Sequence, residues 1–213
     1  ARLEAGVRNL AISEAAAVHG LYYAPDPSSQ IACSIGGNVA ENSGGVHCLK
    51  YGLTVHNVLG ARVVMSDGQV LEIGGPWYDA PGLDLLAALC GSEGMLGIVT
   101  EITVALLPRP ETVAVMLAAF RTLNDAADAV AAVIGAGIIP AGMEMMDQLA
   151  VQAAEQFAHA GYPEDAAAIL LIELDGTDSE VVAMVAQVER LMLAQRAYHI
   201  DIATDPDNQM RLW

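Results

Sequence analysis

Apolar residues recur with a helical period over residues 7–19, where Leu10, Ala17 and Val18 share one face and Gly20 follows as a left-handed stop. The period then disappears. Residues 25–45, PDPSSQIACSIGGNVAENSGG, open on two prolines and close on two glycines, with short side chains where a core strand would carry bulky ones. Periodicity returns in ARVVMSDGQVLEI, residues 61–73, two alternating runs around Asp67-Gly68 that predict a hairpin. GLDLLAALCG, residues 82–91, predicts a short helix. GIVTEITVALLP, residues 97–108, predicts a strand with Ile98, Thr100, Ile102, Val104 and Leu106 on one face.

The segment PRPE at 108–111 interrupts the alternation and predicts a domain boundary, separating 1–109 from 110–213. Beyond it TVAVMLAAF reads as a strand, and Thr122 with Asp125 forms a T-x-x-D box opening a helix with apolar positions Leu123, Ala126, Ala127, Val130, Val133 and Ile134. A second helix covers 147–159, AAAILLIEL is a buried strand, and 179–195 is a helix with Val181, Val185, Val188 and Met192 on its core face. A weak strand, AYHIDI, comes last. Strand, helices, strand, helix, strand is most of a split β-α-β layer, a ferredoxin-like plan lacking its end, so the fold class is α+β.

Composition narrows the partners. The 213 residues hold 9 Lys and Arg against 26 Asp and Glu, a formal charge of −17 that argues against a nucleic-acid backbone or an anionic membrane as the main partner. Cys33, Cys48 and Cys90 are odd in number and form no C-x-x-C, so neither a disulfide framework nor a zinc site is indicated, and the expected location is cytoplasmic. No apolar run reaches the roughly 18 residues of a membrane span, and the start has no signal-peptide pattern. The chain begins without methionine and ends in DPDNQMRLW, where a helix is starting; the expectation is an internal piece of a longer protein.

The glycines carry the candidate chemistry. Without a side chain, backbone can approach a ligand closely and can adopt φ > 0, turning successive N–H groups toward one point. Gly36-Gly37-Asn38 and Asn42-Ser43-Gly44-Gly45 are two such places, in a stretch where Asp26 and Glu41 are the exceptions to an absence of acids. GSEGMLGIV, residues 91–99, adds three more glycines directly before a long strand. Neither a Walker A sequence nor G-x-G-x-x-G after a strand is present. Two glycine-rich segments flanking one hairpin predict one extended, partly anionic ligand lying across both. The alternative for each glycine pair alone is a tight turn with no ligand.

These residues, PDPSSQIACSIGGNVAENSGGVHCLKYG followed by GSEGMLGIVTEITVALLPRP, resemble the FAD-binding domain of the vanillyl-alcohol-oxidase type of flavoproteins. GIIPAGMEMMDQLAVQAAEQFAHAGYPEDAAAILLIELDG is similar to the substrate-side cap domain of its 2-hydroxy-acid oxidases. The resemblance implies an incomplete FAD-binding α+β domain over 1–109 and an incomplete ferredoxin-like cap over 110–213. It implies FAD contact by Pro25, Asp26, Ser28, Ser34, Gly36, Gly37, Asn38, Asn42, Gly44, Gly45, Glu93, Gly94, Gly97, Ile98 and Val99. It places a further phosphate loop before the chain and the catalytic histidines after Trp213, leaving the catalytic residues unknown here and the piece alone inactive. The implied activity is FAD-dependent oxidation of a small 2-hydroxy acid, glycolate or D-lactate, to the 2-oxo acid. Electrons would pass to a partner among other oxidase subunits, which could seat the protein peripherally at the inner membrane. The alternatives are a reductase of cell-wall precursors sharing the FAD domain, which the pattern after Pro110 opposes, and a non-catalytic flavin-binding fragment.

Other residues weigh less. His47 and Cys48 stand beside the glycines but read as a packed pair rather than a covalent flavin tether. The five histidines, 19, 47, 56, 159 and 199, lack metal-ligand spacing, so no metal is expected. Lys50 and Tyr51 are candidates for the cofactor edge. Met143, Met145 and Met146 read as core filling with Glu144 toward the cleft, and Arg109 and Arg121 read as surface cations able to meet a carboxylate.

Overall fold

A short strand, β1 (Arg2–Glu4), precedes α1 (Asn9–Ala16) in the computed structural model, which describes residues 1–77 and 82–213. Helix α1 tightens into a 3-10 turn at Ala17–His19 and stops at Gly20, whose φ is 68°. The helix lies where its period predicts, but its buried face is Asn9, Ile12 and Ala16, while Val18 is exposed. At 3.6 residues per turn Val18 falls on the side of the helix opposite Asn9, Ile12 and Ala16, and Ala17 is exposed beside it.

Then follow β2 (Leu21–Tyr22), α2 (Ile35–Glu41), α3 (Cys48–Tyr51), α4 (Thr54–Asn57), β3 (Val58–Val64), β4 (Val70–Gly74), α5 (Leu85–Leu89), β5 (Ile98–Val104) and β6 (Leu107–Pro108). Strands order β1-β5-β3-β4 in an antiparallel sheet, and β2 pairs with β6. The predicted hairpin forms: Met65 N donates to Gln69 O at 2.8 Å and Gly68 N to Met65 O at 2.9 Å. The predicted short helix is α5, its N-terminus capped by Asp84 accepting from Ala87 N.

Strand β5 departs from simple alternation. Arg62 pairs with Glu101 but Val63 pairs with Val99, so Thr100 is an extra, bulged residue. A bulge inverts the facing of everything before it. Ile102 and Val104 are therefore buried as expected, while Ile98 is exposed and Val99 packs inward instead. The first core gathers Ile12, Tyr23, Ile35, Val39, Val58, Ile102 and Val104.

Residues Ala1–Arg109 make one compact unit and Pro110–Trp213 the second. The second holds β7 (Thr112–Phe120), α6 (Leu123–Gly135), β8 (Gly142–Asp147), α7 (Gln148–Ala158), β9 (Ala168–Gly176), α8 (Asp178–Ala194), β10 (His199–Ala203) and α9 (Pro206–Leu212). Its strands order β10-β7-β9-β8, all antiparallel, the order of a ferredoxin-like layer with α7 inserted after its second strand. Met116, Ala118, Phe120, Leu170, Ile172 and Leu174 pack under α6 and α8; Val115, Leu117, Ala119, Ile169 and Leu171 pack on the opposite face with Val151 and Leu212. Both faces are covered, so these strands are apolar at consecutive positions rather than alternate ones.

Thr122 caps α6 by accepting from Asp125 N, as the box predicts, but Leu123 and Ile134 are exposed and Ala129 is buried in their place. In α8 the predicted Val181, Val188 and Met192 are buried. The sequence reading misses β8. GMEMMD lacks β-branched residues, yet it pairs with β9, sending Met143 into one core and Met146 toward the other. Met145 is 47% exposed, so it does not fill the core as expected. Arg121 stays at the surface as expected, where it meets a carboxylate of the chain itself: it pairs with Asp165 at 2.5 Å and stacks 3.7 Å over the Tyr198 ring. The Arg121 guanidinium and the Tyr198 hydroxyl together hold the Asp165 carboxyl below its usual range.

Cys90 lies inside the first unit. Burial, with a smaller effect of Asp84, pushes its thiol up to about 11. A protonated thiol is therefore favoured by folding; that contribution is intact below about pH 9 and is lost as pH rises toward 11. With iodoacetamide at pH 8, Cys33 and Cys48, both half-buried, are expected to be alkylated first and Cys90 only on unfolding. Equal rates by mass spectrometry would contradict that burial.

No helix among the described residues is long and apolar enough to cross a membrane.

Candidate functional site

The glycine-rich stretch does not form loops alone; IGGNVAE winds into α2. Ser34 caps it, its Oγ accepting from Gly37 N at 3.2 Å and its carbonyl from Asn38 N at 2.9 Å. Ile35 N donates to Val7 O at 2.8 Å and Gly36 N to Ala5 O at 2.9 Å. The first-turn donors of α2 thus have partners within the protein, and neither Gly36 nor Gly37 has positive φ. This corrects the expectation that N–H groups here converge on an anion. The glycines serve close approach instead. A Cβ on Gly36 would lie 2.8 Å from Ala5 Cβ and 3.0 Å from Ala5 O, so that glycine seats the helix on the chain leaving β1. A Cβ on Gly37 would meet only Ser34 Oγ, at 3.4 Å, and otherwise point into open space.

The far end of α2 brings in the second glycine segment. Gly91 N donates to Val39 O at 2.8 Å and Glu93 N to Ala40 O at 2.9 Å, using carbonyls that a helix C-terminus leaves unpaired. The two segments, more than fifty residues apart, meet around a cavity of about 400 Å³. Seven of the predicted residues line it: Ser34, Gly36, Gly37, Gly94, Gly97, Ile98 and Val99. Sequence reasoning misses Ala5, Gly6, Ala40, Leu89 and Ser92, which complete the lining; small residues at 5, 6 and 40 were the available signal.

The other predicted residues lie outside this lining. Asn38, 2% exposed, sits behind the wall: its Oδ1 accepts from Asn9 Nδ2 at 3.0 Å, and its Nδ2 donates to Ser43 Oγ at 3.3 Å. Asn42 ends α2 in the left-handed conformation and accepts from Val55 N. Pro25 O accepts from Asn9 Nδ2 at 3.0 Å, and Asp26 meets His47 Nδ1 at 2.5 Å. Gly44 packs on Leu53 and Cys48; Gly45 faces Asp26. Ser28 is exposed, as is Glu93, which holds a φ of 54°. Lys50 lies over the Tyr51 ring at 5.3 Å. Among the described residues no group of three or more His, Cys, Asp or Glu could hold a metal ion.

The cavity lining carries no charged side chain, and its polar side chains are the hydroxyls of Ser34 and Ser92. Such a wall can hold a neutral, extended ligand portion by contact and two hydrogen bonds; it offers no acid, base or cation. The open space beyond Gly37, with nothing within 4 Å of a Cβ on Gly94, is a cradle that side chains would fill, so these residues fit part of a dinucleotide.

A family model described as "FAD binding domain" matches residues 1–74, and one described as "FAD linked oxidases, C-terminal domain" matches 109–213. The chain is 58% identical over all 213 residues to glycolate oxidase subunit GlcD of Escherichia coli K12, covering 43% of that protein. It is 40% identical to GlcD of Bacillus subtilis, covering 45%, and 30% identical to D-lactate dehydrogenase of Anaerostipes hadrus, covering 46%. In fold it matches alkyldihydroxyacetonephosphate synthase with a TM-score of 0.82 at 21% identity, over 99% of this chain and 44% of that one. The chain thus spans less than half the length of the relatives it matches.

Proposed function

From the premise that this chain belongs to the FAD-linked oxidases, we propose that it is a section of an FAD-dependent enzyme oxidising a small 2-hydroxy acid to the 2-oxo acid. Its first unit supplies one wall of the cofactor site and its second unit stands on the substrate side. The observation that supports this reading is the meeting of residues 34–40 and 89–99 around one cavity of bare backbone. Ser34, Gly36, Gly37, Gly94, Gly97, Ile98 and Val99 would hold FAD by contact, and bound FAD would supply the two-electron acceptor. Leu89 and Ile98 make that wall apolar.

Glycolate is the favoured substrate and D-lactate the second, since relatives bear both names. The electrons would pass to an acceptor on another subunit. The phosphates would need donors from outside this wall, because α2 has spent its own.

Two measurements test the proposal. The protein of its relatives' length, carrying these residues, is expected to be yellow and to bleach with anaerobic glycolate but not with NADPH. Bleaching by NADPH alone would select the reductase reading. The 213 residues alone are expected to bind FAD weakly by flavin fluorescence; tight stoichiometric binding would show that the wall suffices.

A further inference from the structure

Behind the cavity wall the structure closes a ring of contacts whose last link joins a carboxylate to an imidazole. Asn38, on α2, joins Ser43 Oγ in one direction and Asn9 Nδ2 in the other. Asn9 Nδ2 also reaches Pro25 O at 3.0 Å, and Pro25 carries the chain directly into Asp26. From Ser43 the backbone runs through Gly44 and Gly45 to His47, whose Nδ1 lies 2.5 Å from Asp26 Oδ2. Both side chains of this last pair are about four-fifths covered, at 21% and 19% exposure. The contact is close along its length, since a Cβ on Gly45 would lie 2.3 Å from Asp26 Oδ1 and 2.4 Å from Asp26 O. Asp26 is flanked by Pro25 and Pro27, so its segment has little freedom to follow if the opposing loop moves away.

We propose that Asp26 and His47 are positioning residues: a clasp that holds residues 43–47 against the 25–27 segment and thereby fixes α2, with Ser34 and Gly37, as the wall of the cofactor site. Neither residue lines the cavity. It acts through Ser43 and Asn38 on one side and through Pro25 and Asn9 on the other. This inference rests on the FAD reading only for the meaning of the wall; the clasp itself is a property of the chain.

The physical case follows from burial. Asp26 Oδ1 is buried and has no hydrogen-bond partner, so the carboxylate depends on Oδ2 for compensation. Removing the imidazole would leave a mostly buried carboxylate short of its partner, which favours opening of the loop toward water. In the clasped state the imidazole donates from Nδ1, which assigns its tautomer when neutral.

The test begins without cofactor. In the ¹⁵N-labelled 213-residue chain, long-range ¹H–¹⁵N spectra are expected to show His47 protonated on Nδ1. Asp26→Asn and His47→Ala are expected to speed amide exchange of residues 43–48 at least tenfold, leaving residues 115–119 unchanged. His47→Asn, whose amide nitrogen can take the place of Nδ1, is expected to restore slow exchange. A proton on Nε2 alone, or unchanged exchange at 43–48, overturns the clasp. In the protein of its relatives' length, His47→Ala is expected to weaken FAD binding about tenfold, the equivalent of one lost hydrogen bond, with His47→Asn near wild type. Equal FAD affinity in all three overturns the positioning role. A wild-type protein that binds no FAD refutes the cofactor reading, while tautomer and exchange still decide the clasp. If Asp26→Asn does not fold, His47→Ala carries the same comparison.

Discussion

Gly37→Val is expected to remove flavin from the protein of its relatives' length while leaving its fold intact. The structure separates two adjacent glycines that look equivalent in sequence. At Gly37 an added side chain has Ser34 Oγ as its nearest neighbour, at 3.4 Å, and projects into the cavity. Glycine is itself about 1 kcal/mol less favourable than alanine within a helix and valine no more than about 0.7 kcal/mol, so propensity does not oppose the change, and the far-ultraviolet spectrum and melting temperature should change little. The space it fills is the ligand's, and the flavin-to-protein absorbance ratio should fall below about a tenth of wild type, a loss of about 1.4 kcal/mol or more. Gly36→Val should do the reverse. Its Cβ would press on Ala5 Cβ and the Ala5 carbonyl, so the first unit should lose stability before any question of binding arises. Full flavin content in Gly37→Val would remove the main support for the proposed site.

Asn9→Ala is expected to be the most destabilising single truncation behind the wall. Asn9 is 2% exposed, and its amide satisfies Pro25 O and Asn38 Oδ1 together. Deletion leaves two buried acceptors short of a donor, each costing about 1–3 kcal/mol, so a loss of about 3 kcal/mol in the first unit is expected by denaturant melting. The second unit, with its own core, should melt as before. Asn38→Ala made on top of Asn9→Ala should cost less than it does alone, because one of the orphaned acceptors disappears with it. A loss under about 1 kcal/mol for Asn9→Ala, or strictly additive losses, would show that the network does not act as a unit.

Much of the secondary structure is legible in the chain because it depends on neighbours in sequence. The Asp67-Gly68 hairpin, the Thr122 cap and the Val181–Met192 stripe are of this kind, each set by local backbone preference or helical period. The misses share a different cause. Strand β8 has no strand-forming composition; pairing with β9 imposes it. The bulge at Thr100 reverses the inward face of half of β5, and it follows from registering β5 against β3, some forty residues away.

The candidate site divides along the same line. That glycines and serines crowd residues 34–45 and 91–99 is plain from the sequence, and so is the resemblance they carry. Which of them face a ligand is not. Gly36 and Gly37 differ only in what lies across from them, and Ala5 comes from the other end of the unit. Asn38, expected at the cofactor, is turned inward by Asn9 and Ser43.

The sequence by itself determined where backbone would be left bare and where the helix capped by Thr122 would begin, since both follow from the size and local bonding of consecutive side chains. Only the tertiary structure decided that two bare segments share one cavity and that the helix donors between them are already spent, because those outcomes depend on contacts between residues distant along the chain.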